Sequence, residues 1–300
     1  FAGDINVSNG TIKLDGDYPV GSANVALGGG TLNASLTGQQ NTAVGSASLS
    51  ALTSGNDNTA VGRVTLTNNT TGGQNTAVGR YALSANTTGS SNTGLGTQAL
   101  NSNTTSSYNT AVGYQAGFSN TTGVQLTAVG YHAAYTATTA ANITAIGFEA
   151  AAGATGSGTV AVGTSAAFVS TGDDNTAMGA AALLTNSSGA NNTAIGRSAL
   201  RFNTTASNNT AVGYQAGYSN TTGASNLFAG TYAGYHTTTG TDNTYVGNSA
   251  GPNVSSSTGS YNTAIGRAAL VSNTTASSNT AVGYQAGYSN STGANLVAMG

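Results

Sequence analysis

Residues 75–79 read Asn-Thr-Ala-Val-Gly, and the same pentad returns along the chain at a nearly fixed distance. Identical copies lie at 41–45, 58–62, 75–79, 109–113, 209–213 and 279–283. Weaker copies fill the gaps, so that a glycine closes successive units at Gly28, Gly45, Gly62, Gly79, Gly96, Gly113, Gly130, Gly147, Gly163, Gly179, Gly196, Gly213, Gly230, Gly247, Gly266, Gly283 and Gly300. Thirteen of the sixteen steps are 17 residues long, two are 16 and one is 19. A short fixed period is typical of one supersecondary unit stacked on copies of itself.

The repeat unit has the character of a strand followed by turns. Thr-Ala-Val-Gly alternates polar or small residues with apolar ones, which suits a short half-buried strand, whereas apolar residues do not recur at helical spacing. The Asn-Thr-Thr-Gly stretches favour turns. We therefore predict an all-β, parallel β-roll or β-solenoid over residues 24–300, with about 16 coils of two short strands and two turns each. The irregular steps near Gly163, Gly179 and Gly266 should be absorbed in turns. Residues 1–23 are predicted to form a hairpin-like cap.

Stacked coils place identical side chains above one another. Asparagine ladders are predicted through Asn41, Asn58, Asn75, Asn92 and Asn109, and through Asn86, Asn103 and Asn120. The predicted core columns hold mostly Ala, Val and Gly, so each coil gains little from apolar burial against its backbone entropy. We therefore expect several chains to share one axis, most simply as a homotrimer.

Composition narrows the classes of function. Charged residues make up 5% of the 300 residues and the net charge is -2, so no basic stripe for nucleic acid is expected. Cysteine is absent, which excludes disulfides and thiolate metal sites. No apolar stretch reaches the roughly 18–20 residues that span a bilayer. Because the chain starts at Phe1, we expect targeting and membrane-anchoring parts to lie outside this fragment.

Residues 109–117, 209–217 and 279–287 share the longer motif Asn-Thr-Ala-Val-Gly-Tyr-Gln-Ala-Gly. This motif resembles the head repeats of YadA-like trimeric autotransporter adhesins. The resemblance covers about residues 24–300 and implies a left-handed, trimeric β-roll that serves attachment at a cell surface. The unit of that family is shorter than 17 residues, and its stalk and membrane barrel have no counterpart here. The chain is also similar to tail-fibre and other structural proteins of marine phages.

Conventional catalytic or metal-binding constellations are not evident. His132 and His236 lie six coils apart, so one chain cannot join them on one metal, although three copies of one histidine could meet on a trimer axis. Adjacent Asp173 and Asp174 could hold a cation, but a solvated turn is the commoner role of such pairs. We expect no enzyme activity, no cofactor and no resident metal.

Position 1, counted from the residue after the pentad glycine, carries the most distinctive side chains. It holds Arg63, Arg80, Tyr114, Tyr131, Phe148, Arg197, Tyr214, Arg267 and Tyr284. Arginine and tyrosine one coil apart, as at Arg197–Tyr214 and Arg267–Tyr284, should stack with about 0.5–1 kcal/mol. This column is predicted either to contact a glycan or protein receptor, or to cover coil edges and the seam between chains.

The leading hypothesis is a non-enzymatic, extracellular fibre or head segment for attachment, on a bacterial surface or a virion. Its partners would be its own copies and an unknown surface receptor. One alternative is a spacer rod without a ligand. Another is an ice-binding β-solenoid, for which Thr42, Thr59, Thr76, Thr93 and Thr110 would supply a hydroxyl ladder, although the neighbouring outward position is aliphatic rather than threonine.

Overall fold

The computed structural model describes residues 23–32, 36–254 and 256–300, and within them the chain contains strands and turns but no helix. It divides into two compact units, of which the first ends at Gln125 and the second begins at Leu126. The cap predicted over residues 1–23 lies, apart from Ala23, outside the described residues. No described segment forms a helix that is long and apolar enough to cross a membrane.

The described residues contain seventeen strands of three residues each. The first unit contains β1 (Val25–Leu27), β2 (Thr42–Val44), β3 (Thr59–Val61), β4 (Thr76–Val78), β5 (Thr93–Leu95) and β6 (Thr110–Val112). The second unit contains β7 (Thr127–Val129), β8 (Thr144–Ile146), β9 (Val160–Val162), β10 (Thr176–Met178), β11 (Thr193–Ile195), β12 (Thr210–Val212), β13 (Leu227–Ala229), β14 (Thr244–Val246), β15 (Thr263–Ile265), β16 (Thr280–Val282) and β17 (Val297–Met299).

Within each unit, every strand pairs in parallel with the strand of the next coil, which confirms the predicted parallel β-solenoid. Ala60 lies opposite Ala43 on one side and Ala77 on the other. The strand register is the same at the irregular steps. Ile146 pairs with Val162 across a 16-residue step, and Val246 pairs with Ile265 across the 19-residue step. Length differences are therefore taken up in the turns, as predicted.

The prediction of two strands per coil is wrong, because the described coils each contain one. The remaining residues form turns in which non-glycine residues recur with left-handed φ, for example Tyr81 at 60°, Leu83 at 49° and Ser91 at 58°. This conformation costs an L-residue roughly 1–2 kcal/mol. Coil-to-coil hydrogen bonds offset the cost: the Leu83 N–H donates to the Ala99 carbonyl at 3.0 Å, and the Tyr81 N–H donates to the Arg63 carbonyl at 3.1 Å.

The pentad glycine is required where the chain leaves the strand. Gly79 has a φ of 129°, which L side chains rarely adopt. A Cβ atom at this position would lie 2.6 Å from the carbonyl carbon of Gly96 in the next coil. Close stacking of coils at this corner therefore excludes a side chain.

The core is a narrow space between the strand row and the turn that follows it. The middle residue of most strands is an alanine whose side chain is fully buried, as at Ala60 and Ala77. Leu83 and Leu100, at position 4 of their coils, are also fully buried. The small strand residue thus leaves room for the leucine in these coils, so the core is thin.

The asparagine ladders are confirmed, and Asn75 shows why asparagine is suited to them. Its Nδ2 donates to Asn58 Oδ1 at 3.1 Å and to the Gly89 carbonyl at 2.8 Å. Its Oδ1 accepts from the backbone N–H of Asn92 at 2.9 Å and from Asn92 Nδ2 at 3.1 Å. All four hydrogen-bonding positions of the buried amide are satisfied.

The second ladder stands at position 7. Asn86 Nδ2 donates to Asn69 Oδ1 at 2.8 Å, and Asn103 Nδ2 donates to Asn86 Oδ1 at 2.8 Å. The chain Asn69–Asn86–Asn103 is fully buried. Both ladders therefore run through the interior of the coil, where they satisfy carbonyl groups that the turns leave without a strand partner.

Two coils of the second unit reverse the sizes of the core residues. The inward strand residues there are Phe228 and Tyr245, both fully buried, and their rings lie 5.8 Å apart. Glycine replaces leucine at position 4 in both coils and in the coil that follows, because a Cβ on Gly217 or Gly234 would overlap the Phe228 ring, and one on Gly251 would overlap the Tyr245 ring. In these coils the large core side chain thus comes from the strand, and the small residue comes from the turn.

We expect Asn75→Asp to destabilise the first unit by on the order of 2–4 kcal/mol at neutral pH, because the carboxylate cannot donate to Asn58 Oδ1 or the Gly89 carbonyl. Burial raises the pKa of the introduced carboxyl in the folded state. The loss should therefore be smallest below the unfolded carboxyl pKa of about 3.9 and increase as the pH rises through the folded value. Urea denaturation across a pH series measures this. Asn68→Asp at an exposed position is the control, and equal losses from both variants would contradict the ladder's role.

We expect Phe228→Ala to cost about 3–5 kcal/mol, because it empties the strand side of a coil whose turn side is glycine. Adding Gly217→Leu should recover part of this loss, whereas Gly234→Leu should recover less, because a Cβ at Gly234 also lies 3.1 Å from the Tyr245 ring. The backbone accepts leucine there, since φ is 58° at Gly217 and 60° at Gly234 against 49° at Leu83. Gly217→Leu in the presence of Phe228 is the control and should destabilise by overlap. If the free-energy losses of the strand and turn substitutions simply add in this mutant cycle, the strand side chain and the position-4 side chain do not compensate each other in volume.

Candidate binding surface

The nine position-1 side chains are all exposed, as a surface role requires. They follow the glycine that turns the chain out of the strand, so they point away from the alanine-lined core. Several of them contact side chains at position 2 of the same or the next coil, and these in turn contact side chains at position 5. Position 5 also contacts position 6. We name this surface the Arg/Tyr edge. Besides position 1 it includes Tyr81, His132, Tyr135, Arg201, Phe202, Tyr218, Tyr232, Tyr235 and His236.

In the first unit, the Arg/Tyr edge centres on Tyr81. Arg63 Nη1 donates to the Tyr81 hydroxyl at 3.3 Å, and the Arg63 and Arg80 guanidinium carbons lie 5.9 Å and 4.7 Å from the ring centroid. Hydrogen bonding with Arg80 and the positive charge of Arg63 lower the pKa of Tyr81. Two cations thus converge on one exposed phenol.

The second unit carries an aromatic group around His132. The Tyr131 ring stacks on His132 at 3.9 Å and on Phe148 of the next coil at 5.1 Å, with an interplanar angle of 8° in the latter pair. Tyr135 lies 4.7 Å from His132. Glu149 follows Phe148 at position 2, so this group has an acidic neighbour in sequence.

A larger aromatic group, which we name the 202–236 cluster, spans three coils of the second unit. Its members are Phe202, Tyr214, Tyr218, Tyr232, Tyr235 and His236. Tyr218 and Tyr235 form a parallel stack, with centroids 4.9 Å apart and an interplanar angle of 4°. Phe202 meets Tyr218 edge-on at 5.0 Å, and Tyr232 meets Tyr235 at 5.6 Å. The rings therefore form one continuous surface.

The charge state of this cluster follows from its partial burial. Desolvation lowers the pKa of His236. Desolvation, and then the neighbouring tyrosines, raise the pKa of Tyr235. Both shifts favour the uncharged form of each group at neutral pH. The centre of the cluster is therefore aromatic and polar at its tips without carrying charge.

Of the two predicted arginine–tyrosine stacks, one forms. The Arg267 guanidinium carbon lies 5.8 Å from the Tyr284 centroid, which confirms that pair. Arg197 and Tyr214, both among the described residues, make no such contact. Tyr214 instead packs edge-on against Tyr232 at 5.4 Å, because the next coil offers a ring at position 2.

Titratable side chains elsewhere do not assemble into a metal centre. Across the described ranges, no three His, Cys, Asp or Glu side chains are close enough to share an ion. Asp173 Oδ1 accepts a hydrogen bond from the Ser157 backbone N–H at 2.8 Å, which gives this carboxylate a role in joining neighbouring coils. A shallow polar depression of about 250 Å³ in the first unit is lined by turn residues that include Asp57 and Gln74.

Opposite charges occupy different parts of the repeat. The five arginines lie at positions 1 and 5, on the Arg/Tyr edge: Arg63, Arg80, Arg197, Arg201 and Arg267. Four of the five described acidic residues lie at positions 10–12: Asp57, Asp173, Asp174 and Asp242. Glu149 is the exception. The edge is therefore the cationic part of a chain whose net charge is -2.

Sequence reasoning found the position-1 column but missed most of the 202–236 cluster. The missed signal was a second column, since Tyr135, Tyr218 and Tyr235 all stand at position 5. Which rings touch depends on the side-chain rotamers and on the conformation of the turn between positions 1 and 5. Neither can be read from the residue types that recur at one position of the repeat.

No protein-family model matches this chain, and neither the curated proteins nor the solved structures contain a significant match to it.

We expect Arg80→Gln to raise the pKa of Tyr81 toward the ordinary tyrosine value of about 10, because it removes the largest influence that lowers it. Site-resolved NMR of the Tyr81 ring during a pH titration measures the shift. Asp57→Asn, which also removes one charge but at position 12, is the control and should leave the Tyr81 pKa nearly unchanged. The same titration curve in wild type and Arg80→Gln would contradict the assigned contact.

Proposed function

We propose that this chain is a non-enzymatic, extracellular attachment segment whose repeated Arg/Tyr edge contacts a receptor on a cell surface. The supporting observation is the in-register stacking of the strands, which places the exposed arginine and aromatic side chains that follow them in one column. Several weak contacts displayed in this way combine into strong binding without a deep pocket. The likeness of the pentad repeats to YadA-like heads and to phage fibres supports the same function, on a bacterial surface or a virion.

We further propose that three copies associate, in a left-handed roll, through the outward face of the strand row. Aliphatic side chains at position 16 are part-exposed there, and in the second unit they include Ile146 at 40%, Met178 at 41%, Ile195 at 38%, Val212 at 42% and Ile265 at 41%. Parallel pairing aligns them in one column. Burying such a column against other copies would add the apolar area that the thin core of each chain does not supply.

The same face supports ice binding as a second candidate function. The first residue of most strands is threonine, as at Thr193 and Thr210, and these residues lie in register beside the aliphatic column. Hydroxyl and methyl groups repeat at the strand spacing of about 4.8 Å on this face. A face buried between chains cannot also contact ice, so the two proposals for it exclude each other.

One set of measurements tests these proposals. Light scattering should give about three times the chain mass of 29.0 kDa, and Ile195→Lys with Val212→Lys should return the chain to the monomer mass. Ser188→Lys, at an exposed turn, is the control and should stay trimeric. The wild-type chain should adhere to cells and show no thermal hysteresis. A stable wild-type monomer would overturn the trimer, hysteresis would select ice binding, and failure to adhere to any cell surface would overturn attachment and favour a spacer.

A further inference from the structure

We propose that the part of the Arg/Tyr edge between Arg197 and His236 binds an acidic oligosaccharide. In this site the two guanidinium groups take the acid group and the 202–236 cluster takes the sugar faces. The inference rests on the proposed attachment function and adds the chemical class of the receptor. Three features of this segment carry it: its rings, its charge and its contrast with the group around His132.

The rings provide a surface of the right shape and polarity for sugars. Pyranose rings present C–H faces that pack on aromatic side chains, while tyrosine hydroxyls at the ring tips can exchange hydrogen bonds with sugar hydroxyls. Tyr218 and Tyr235 are stacked one coil apart, and Phe202 and Tyr214 are 40% and 37% exposed. The coil spacing of about 4.8 Å is similar to the length of one sugar unit, so neighbouring units can contact rings from successive coils.

Charge distinguishes an acidic sugar from a neutral one. Arg197 and Arg201 lie at positions 1 and 5 of the same coil, and Arg201 packs over the Phe202 ring at 5.6 Å. Positions 1–6 of this coil and of the next two contain no acidic residue. The segment is thus cationic at one end and uncharged beyond it, which suits a carboxylate or sulfate joined to a sugar chain.

The two guanidinium groups are available to such a ligand. Arg197 is exposed and Arg201 is part-exposed, and neither forms an ion pair or a side-chain hydrogen bond with another described residue. Arg63 differs, because it donates to Tyr81. Arginine binds carboxylate and sulfate oxygens through paired N–H groups, so free guanidinium groups beside aromatic rings define an anion-directed site.

The group around His132 is an internal comparison. It has similar rings at the same positions, but its coils carry Glu149 and no arginine. Ring packing alone predicts that both groups bind a sugar equally well, whereas the charge argument assigns the acidic ligand to the segment that starts at Arg197. The two groups therefore separate the contributions of rings and of charge within one chain.

The test measures binding of the full chain to two matched probes, an oligomer of galacturonate and an oligomer of galactose, by calorimetry and by NMR of the tyrosine rings. The acidic probe should bind at least tenfold more tightly and weaken as salt is added. Its binding should shift Tyr218 and Tyr235 signals more than Tyr131. The double variant Arg197→Gln/Arg201→Gln should bind the acidic probe at least tenfold more weakly than wild type does. The double variant Tyr218→Ala/Tyr235→Ala should bind both probes more weakly. Tyr261→Asn, which changes an exposed tyrosine directly before Asn262, is the control and should bind as wild type does.

Three results would overturn the inference. Equal affinity for the two probes would exclude the role of charge, and unchanged acidic binding by the arginine variant would exclude this site. Loss of the oligomer in the arginine or tyrosine variants would show that the edge is a seam between chains. Circular dichroism and urea denaturation confirm that each variant is folded. If the folded arginine and tyrosine variants still adhere to cells as wild type does, the inference fails and the attachment function stands; if wild type itself does not adhere, the attachment function fails.

Discussion

The buried asparagine amide is the constraint on which this solenoid depends. A coil of 17 residues that contains only three residues of strand leaves many backbone carbonyl groups in its turns. Asn75 shows how one side chain resolves this, since its two donors and two acceptor positions are all used within a stack of neighbouring coils. An isolated amide of this kind would be expensive to bury, whereas a column of them satisfies each member through the next. The ladder therefore favours the same spacing in the coils that carry it.

This constraint separates the repeat into positions that are restricted and positions that are free. Close approach restricts the pentad glycine, core volume restricts the inward strand residue together with position 4, and hydrogen bonding restricts the ladder asparagines. The residue after the glycine meets none of these demands, because it leaves the strand toward solvent. Arginine, tyrosine and phenylalanine recur there, and neither the core volume nor the asparagine ladders restrict their choice. The side chains of the Arg/Tyr edge can therefore vary while the interior stays constant.

Much of the fold could be predicted from the sequence, because period is a strong signal. The position of Gly79, the alternation in Thr76-Ala77-Val78 and the phase of Asn75 together imply stacked parallel strands. The second strand of each coil was predicted wrongly, because Leu83 and Tyr81 give no sign that they adopt left-handed φ. Only coil-to-coil hydrogen bonds make that conformation acceptable at a leucine. The exposed position-1 column was predictable from its residue types. The ring contacts of the 202–236 cluster depend on side-chain packing, which the residue types at one repeat position do not determine.

Near-identical coils can pair in the wrong order during folding, since a strand could skip one coil and still pair alanine with alanine. Phe228 and Tyr245, matched by Gly217, Gly234 and Gly251, break that degeneracy. Any arrangement that brings a leucine-bearing coil directly after Phe228 drives two large side chains into one space. These two aromatic residues therefore fix the pairing order of the coils in the second unit by their shape. The backbone hydrogen bonds alone would also allow a pairing that is shifted by one coil.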